Sequence, residues 1–175
     1  MNRIAGFFAV AALICCGIAP VLNADDAPDS NNLLKKWYIY TKSTSTVIGD
    51  DGVIACDNKT AKDVSGVSQA VTLNQTEVKP LTFSAESKAE DVIGDASSTY
   101  SIYLDIYHTD GTKTYGIVEL FNPGTHDWEK VSKTYVPTKP VKQLTCLLLF
   151  RWRTGKVWFR NAVLTQDEPK AVEAK

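Results

Sequence analysis

Residues Tyr100 to Leu164 read YSIYLDIYHTDGTKTYGIVELFNPGTHDWEKVSKTYVPTKPVKQLTCLLLFRWRTGKVWFRNAVL. Apolar and aromatic runs alternate with turn signals throughout this stretch. Within Ser101 to Tyr107, Ile102, Leu104 and Ile106 fall on one strand face and Tyr103, Asp105 and Tyr107 on the other, because side chains alternate along a strand. Aliphatic residues behind and rings with a carboxylate in front describe a sheet with one core face and one ligand-facing face. A carboxylate between two tyrosines is costly inside a dry core. That face is therefore expected to be wet, concave or paired with Arg151.

Outward from this stretch the pattern holds. No window of helical length carries a convincing 3.6-residue period. Strands are expected at Trp37–Thr41, Val53–Cys56, Val67–Leu73, Leu81–Ala89, Tyr100–His108, Thr114–Phe121, Trp128–Val136, Lys142–Arg151 and Lys156–Leu164. Gly49-Asp50-Asp51-Gly52, Lys79-Pro80, Gly94-Asp95, Asp110-Gly111, Asn122-Pro123-Gly124 and Thr154-Gly155 separate them. Asp110-Gly111 marks a two-residue hairpin turn. Eight or nine such strands predict an all-β antiparallel sandwich or barrel, spanning 33–165.

The chain opens as a secretory signal over 1–24. Arg3 precedes the apolar run Ile4–Ile18, and Ala24 is small enough for the position before a cut. A retained anchor, or a lipid attached at Cys15 or Cys16, is the alternative. A polar leader, 25–32, follows, and a polar tail occupies 166–175. The mature domain is then expected to be secreted or periplasmic. It is of single-domain size, about 150 residues. Losing Arg3 and no acidic residue leaves 18 basic against 20 acidic side chains. That balance, with no basic arm or stripe, argues against nucleic acid as a partner. It also leaves no membrane attachment once the signal is removed.

Two cysteines remain, Cys56 and Cys146. An exported domain could join them, closing a long loop for up to roughly 4 kcal/mol. Two packed thiols are the alternative. Asn58-Lys59-Thr60 and Asn74-Gln75-Thr76 match the acceptor pattern for N-glycosylation in a eukaryotic secretory route.

Catalytic signals are weak. His108 and His126 are expected at solvent-side loop positions, without the partners that acid–base work needs. Metal-spaced His/Cys clusters, phosphate loops and nucleophile elbows are missing from the sequence. Glu86, Asp105, Glu119 and Asp127 are carboxylates of the kind any β domain carries. The expectation is therefore a noncatalytic binding protein, not an enzyme. Sugars need rings for their C–H patches and fixed polar groups for their hydroxyls. Tyr103 and Tyr107 supply rings; Asp105, Glu86 and Arg151 supply polar groups; Trp152 offers a platform at a loop edge. Trp158 is expected to be structural, and Trp128 to cap one end of the sandwich.

The region from about Ser65 to Leu164 resembles the jelly-roll carbohydrate-binding modules of the galactose-binding-like superfamily, as appended to exported polysaccharide-degrading enzymes. The residues that carry the resemblance are Gly66-Val67-Ser68-Gln69, Phe83-Ser84-Ala85-Glu86-Ser87-Lys88-Ala89, Tyr100 to Tyr107, Gly124-Thr125-His126-Asp127-Trp128-Glu129 and Gly155-Lys156-Val157-Trp158-Phe159. The resemblance implies two antiparallel sheets, a glycan on a concave face and often a structural calcium. Two departures matter. Arg160 and Asn161 stand where relatives often show paired aspartates, so calcium is doubtful and no cofactor is assigned. Glu86 stands where relatives often place an aromatic ring. The partner implied is a polysaccharide or glycan; a sandwich that has lost the sugar site and binds a protein is the alternative.

Overall fold

The computed structural model describes residues 31–94 and 99–167. The expected signal, and all but the ends of the leader and tail, lie outside the described residues. Ten strands form two five-stranded antiparallel sheets. They are β1 (Tyr38–Ile39), β2 (Thr46–Ile48), β3 (Ile54–Asn58), β4 (Val64–Thr72), β5 (Leu81–Ile93), β6 (Tyr100–His108), β7 (Lys113–Leu120), β8 (Gly124–Tyr135), β9 (Val141–Arg151) and β10 (Thr154–Gln166). The first sheet has the order β1-β4-β9-β6-β7 and the second β2-β3-β10-β5-β8. From β4 onward the chain changes sheet at nearly every connection, so strands distant in sequence, such as β4 with β9, lie side by side.

Alternation decides what is buried. Ile102, Leu104 and Ile106 of β6 enter the core with Leu144, Cys146, Leu148 and Phe150 of β9. From the second sheet come Ile54, Phe83, Val157, Phe159 and Leu164. Tyr100 sits at the aromatic centre, with ring centroids 5.1 Å from Phe121, 5.6 Å from Phe150 and 6.0 Å from Phe159. Its hydroxyl lies 2.7 Å from Ser87 Oγ. Burial pushes the Tyr100 hydroxyl well above its ordinary pKa, against the hydrogen bond with Ser87, which lowers it.

Several sequence expectations are revised. The edge strand β2 had no strong alternation and was not anticipated. The expected strand Trp37–Thr41 shrinks to Tyr38–Ile39, followed by a 3-10 turn over Tyr40–Lys42. β5 runs on to Ile93, and β8 starts at Gly124 rather than Trp128. At Asp110-Gly111 only Gly111 takes positive φ (85°), and the His108 N–H reaches Thr112 O across a longer turn. The Asp110 carboxylate holds that turn through the Thr112 N–H.

Cys56 and Cys146 are free and buried. They belong to opposite sheets, and each packs as a small apolar group. Burial raises the Cys56 thiol to about 11, against hydrogen bonds with Thr46 and Ser65, and pushes Cys146 higher still. His108 is not a solvent-side residue. It is 3% exposed, with Nε2 3.0 Å from Thr114 Oγ1 and Nδ1 3.2 Å from Lys139 O. Asn58 is also interior: its amide donates to Phe150 O, and Ser65 Oγ lies 2.8 Å from its carbonyl oxygen. A buried amide satisfied in this way is not available to a glycan, whereas Asn74 is exposed.

Candidate functional site

The outer face of the first sheet carries the tyrosines singled out in the sequence. Tyr103, Asp105 and Tyr107 are half-buried there, with core residues alternating behind them. Register extends the face in rows. Tyr38, Ser68, Leu147, Tyr103 and Val118 stand side by side across β1, β4, β9, β6 and β7. Tyr38 is thus three strands from Tyr103, about 14 Å at the usual interstrand spacing of about 4.8 Å. Between them β4 contributes Gly66, Ser68, Ala70 and Thr72 to this face, with Val64 at its end beside Arg151. Small side chains between two sets of rings make a trough.

Gly66 lets β4 approach β9. A Cβ there would stand 2.1 Å from Leu148 O, and its φ is 128°. Leu147 and Leu149 face outward from β9 yet are 4% and 1% exposed. They form an apolar floor beneath the face, apart from the main core. The 3-10 turn packs over β4 and brings Tyr40 near the Tyr103 hydroxyl.

A bulge in β7 adds a ring. Thr114 pairs with Ile106 and Ile117 with Leu104, so Tyr115 and Gly116 together oppose Asp105. Gly116 has φ 77° and leaves room for the Tyr103 hydroxyl, 3.7 Å from where a Cβ would stand. Tyr115 turns outward, 56% exposed, and meets the Tyr107 ring edge-on at 6.2 Å. Lys113 Nζ sits 5.4 Å from the Tyr107 ring centre.

Asp105 accepts hydrogen bonds from the Gly116 N–H (3.3 Å) and the Tyr103 hydroxyl. Burial, then the Asp105 charge and hydrogen bond, raise the Tyr103 pKa; the Arg151 charge partly opposes this. Tyr103 therefore stays a protonated donor. Arg151 stands at the end of the same face and lays its guanidinium over Trp152, 4.5 Å from the ring centre. Trp152 is 55% exposed at the turn into β10, where its φ is 56°.

Glu86 does not join this group. It lies on the outer face of the second sheet, between β8 and β10, opposite Lys130 and Arg160. Arg160 Nε donates to it at 2.8 Å and Asn161 Nδ2 at 3.1 Å. Burial alone would raise its pKa. The hydrogen bonds from Asn161 and Arg160 and the guanidinium charge together outweigh burial and hold the carboxyl below its ordinary value. Arg160 also stacks on Trp128 at 4.0 Å, so Trp128 lies on this face rather than capping an end. Trp158 has the same orientation, half-buried between Ala55 and Lys88.

Tyr38, Tyr40 and Tyr115 were not among the residues singled out from sequence. Tyr115 was hidden by the bulge, which breaks the alternation that would assign its face. The Gly after it was the available signal. Tyr38 and Tyr40 lie outside regular alternation because β1 is two residues long.

The calcium implied by the resemblance finds no suitable donors at Arg160 and Asn161. Glu86 is the carboxylate there, and each of its oxygens already accepts a hydrogen bond, one from the Arg160 guanidinium and one from the Asn161 amide. A divalent cation seeks several oxygen donors. Among the described residues no group of three or more His, Cys, Asp or Glu converges.

No family model and no curated protein matches the chain. Solved structures do match. One is titled "CBM4 structure and function", at TM-score 0.51 and 17% identity, covering 80% of this chain and 92% of the other. A second is the CBM22-1 xylan-binding domain from Paenibacillus barcinonensis Xyn10C, at TM-score 0.52 and 10% identity, covering 79% and 90%. A third is the second N-terminal cellulose-binding domain of Cellulomonas fimi beta-1,4-glucanase C, at TM-score 0.51 and 12% identity, covering 82% and 99%. The chain also matches the enzymatically active domain of a bacteriophage CBA120 tailspike protein at TM-score 0.53 and 9% identity, but spans only 21% of it. At these identities the likeness concerns the fold: this chain has the two-sheet jelly-roll sandwich of carbohydrate-binding modules.

Proposed function

We propose that the chain is a noncatalytic carbohydrate-binding module, and that glycan lies across the outer face of the first sheet. The observation that carries this reading is the trough of small β4 side chains between Tyr38 on one side and Tyr103, Tyr107 and Tyr115 on the other, with Tyr40 close to the Tyr103 hydroxyl. The rings offer stacking surfaces over a span suited to a chain of sugars. The Asp105 carboxylate, the Tyr103 hydroxyl, Gln143, Thr145 and Arg151 offer hydrogen bonds around them.

Hydrolysis would need a second carboxylate facing Asp105. Among the described strand residues, register puts Asp105 alone on this face. Structural neighbours titled as xylan- or cellulose-binding domains support the same reading. A signal-led export route suits a polysaccharide partner.

The test is binding of the purified domain to insoluble and soluble polysaccharides, with Tyr103→Ala and Tyr115→Ala as variants. Retention of wild-type protein and loss in both folded variants is the expected result. Wild-type binding that neither variant weakens would remove the assignment to this face. No binding across cellulose, xylan, mannan and β-1,3-glucan would favour a protein-binding sandwich.

A further inference from the structure

The second sheet has a cleft of its own. It measures about 460 Å³ and is lined by Thr44, Ser45, Val47, Asp57, Lys59, Lys156 and Trp158. Its volume falls within the roughly 300–1,000 Å³ of small-molecule sites. Trp158 is half-buried with its ring lining the cleft, although its neighbours Val157 and Phe159 are fully enclosed in the core. β10 therefore spends one large aromatic side chain on the outside of the sandwich. Val47, 62% exposed, adds apolar surface across from it.

The polar lining is organised in charge pairs. Lys59 Nζ lies 2.6 Å from Asp57, and Lys156 Nζ lies 3.1 Å from Glu90. Each pair offers a donor beside an acceptor. Adjacent sugar hydroxyls, one donating and one accepting, match such a pair, while a pyranose C–H face matches Trp158. The pairing also decides the ligand's charge. The two ammonium groups that line the cleft already face carboxylates, so neither is left unpaired to hold an acidic sugar.

We propose that this cleft is a second carbohydrate site, taking a short stretch of neutral pyranoside, on the sheet opposite the tyrosine trough. Trp158 stacks on the ring, and Lys59 with Asp57 holds neighbouring hydroxyls. The site stands whether or not the tyrosine face binds anything. If both faces bind, one molecule engages two glycan chains at once.

The four tryptophans give four indole N–H signals in a 1H–15N spectrum, and Trp158→Phe identifies one. The full domain is titrated with methyl glycosides of glucose, xylose, mannose and galactose and with cellohexaose, xylohexaose and mannohexaose. A saturable shift of the Trp158 signal is expected for at least one neutral probe. Lys59→Met, on a side chain 73% exposed, should weaken that shift several-fold without affecting folding. Tyr115→Ala should leave it unchanged, while shifts on the tyrosine face report the first site separately. No Trp158 shift with any probe overturns the proposal, whatever the tyrosine face does. So does a shift that vanishes in Tyr115→Ala, or one that appears only with glucuronate or a sulfated sugar.

Discussion

Tyr103 combines three roles in one side chain: its ring helps cover Leu147, its hydroxyl donates to Asp105, and its edge borders the trough. Removing the hydroxyl and removing the ring should therefore separate. Tyr103→Phe is expected to keep most glycan affinity, and Tyr103→Ala to lose about tenfold, or about 1.4 kcal/mol, in isothermal titration. Gly66 is the opposite kind of residue, needed for what it lacks. Gly66→Ala drives a methyl group into Leu148 O and should cost at least about 3 kcal/mol in chemical denaturation, since neither backbone can yield cheaply. Cys56, with its thiol raised to about 11 by burial, should resist an aromatic disulfide reagent at pH 8 until denaturant is added, as should Cys146. Sequence made the alternation of Tyr103, Asp105 and Tyr107 legible because β6 is regular there. It misassigned His108, since periodicity puts a strand-end residue on a face without saying what the next strand lays over it.

At the scale of elements, pairing matters more than pattern. Glu86 was grouped with Tyr103 from sequence because both alternate with aliphatic residues. That periodicity identifies an outer face but not which of two. Only register, with β5 beside β10, gives Glu86 to Arg160 and Asn161. The link has a pH signature. Its native pKa lies below the ordinary 4.5, so its stabilisation is complete above that value and is lost as pH falls through the native pKa. Glu86→Gln should melt below wild type at pH 7, and the difference should shrink as pH falls below 4.5 in differential scanning calorimetry. The β7 bulge was illegible for a related reason: an extra residue shifts every later side chain by one face.

Over the whole molecule, fold class was readable and sheet membership was not. Short runs punctuated by Gly, Pro and Asp dictate an all-β domain, and an apolar β9 with leucines on both faces marks a central strand. Which strands share a sheet depends on crossovers that local patterning cannot encode. The consequence is a sandwich with two differently furnished exteriors, one lined by tyrosines and one by tryptophans and lysines. If both exteriors bind, wild-type protein should aggregate a soluble polysaccharide at intermediate ratios, visible as a light-scattering maximum. Tyr115→Ala and Lys59→Met should each flatten that maximum while keeping partial binding.

The Leu33 N–H meets Leu164 O at 2.9 Å, and Asn32 clasps the same stretch through Ala162 O and the Leu164 N–H. Entry to the sandwich is thereby stitched to its closing strand, so the polypeptide comes in and goes out at neighbouring points. A fold with that property can be grafted into a surface loop of an unrelated host like a bead sewn on by one stitch, leaving both broad faces turned outward. It can equally be re-opened elsewhere, for example at the exposed Asp110-Gly111 turn, with a short linker joining the old ends.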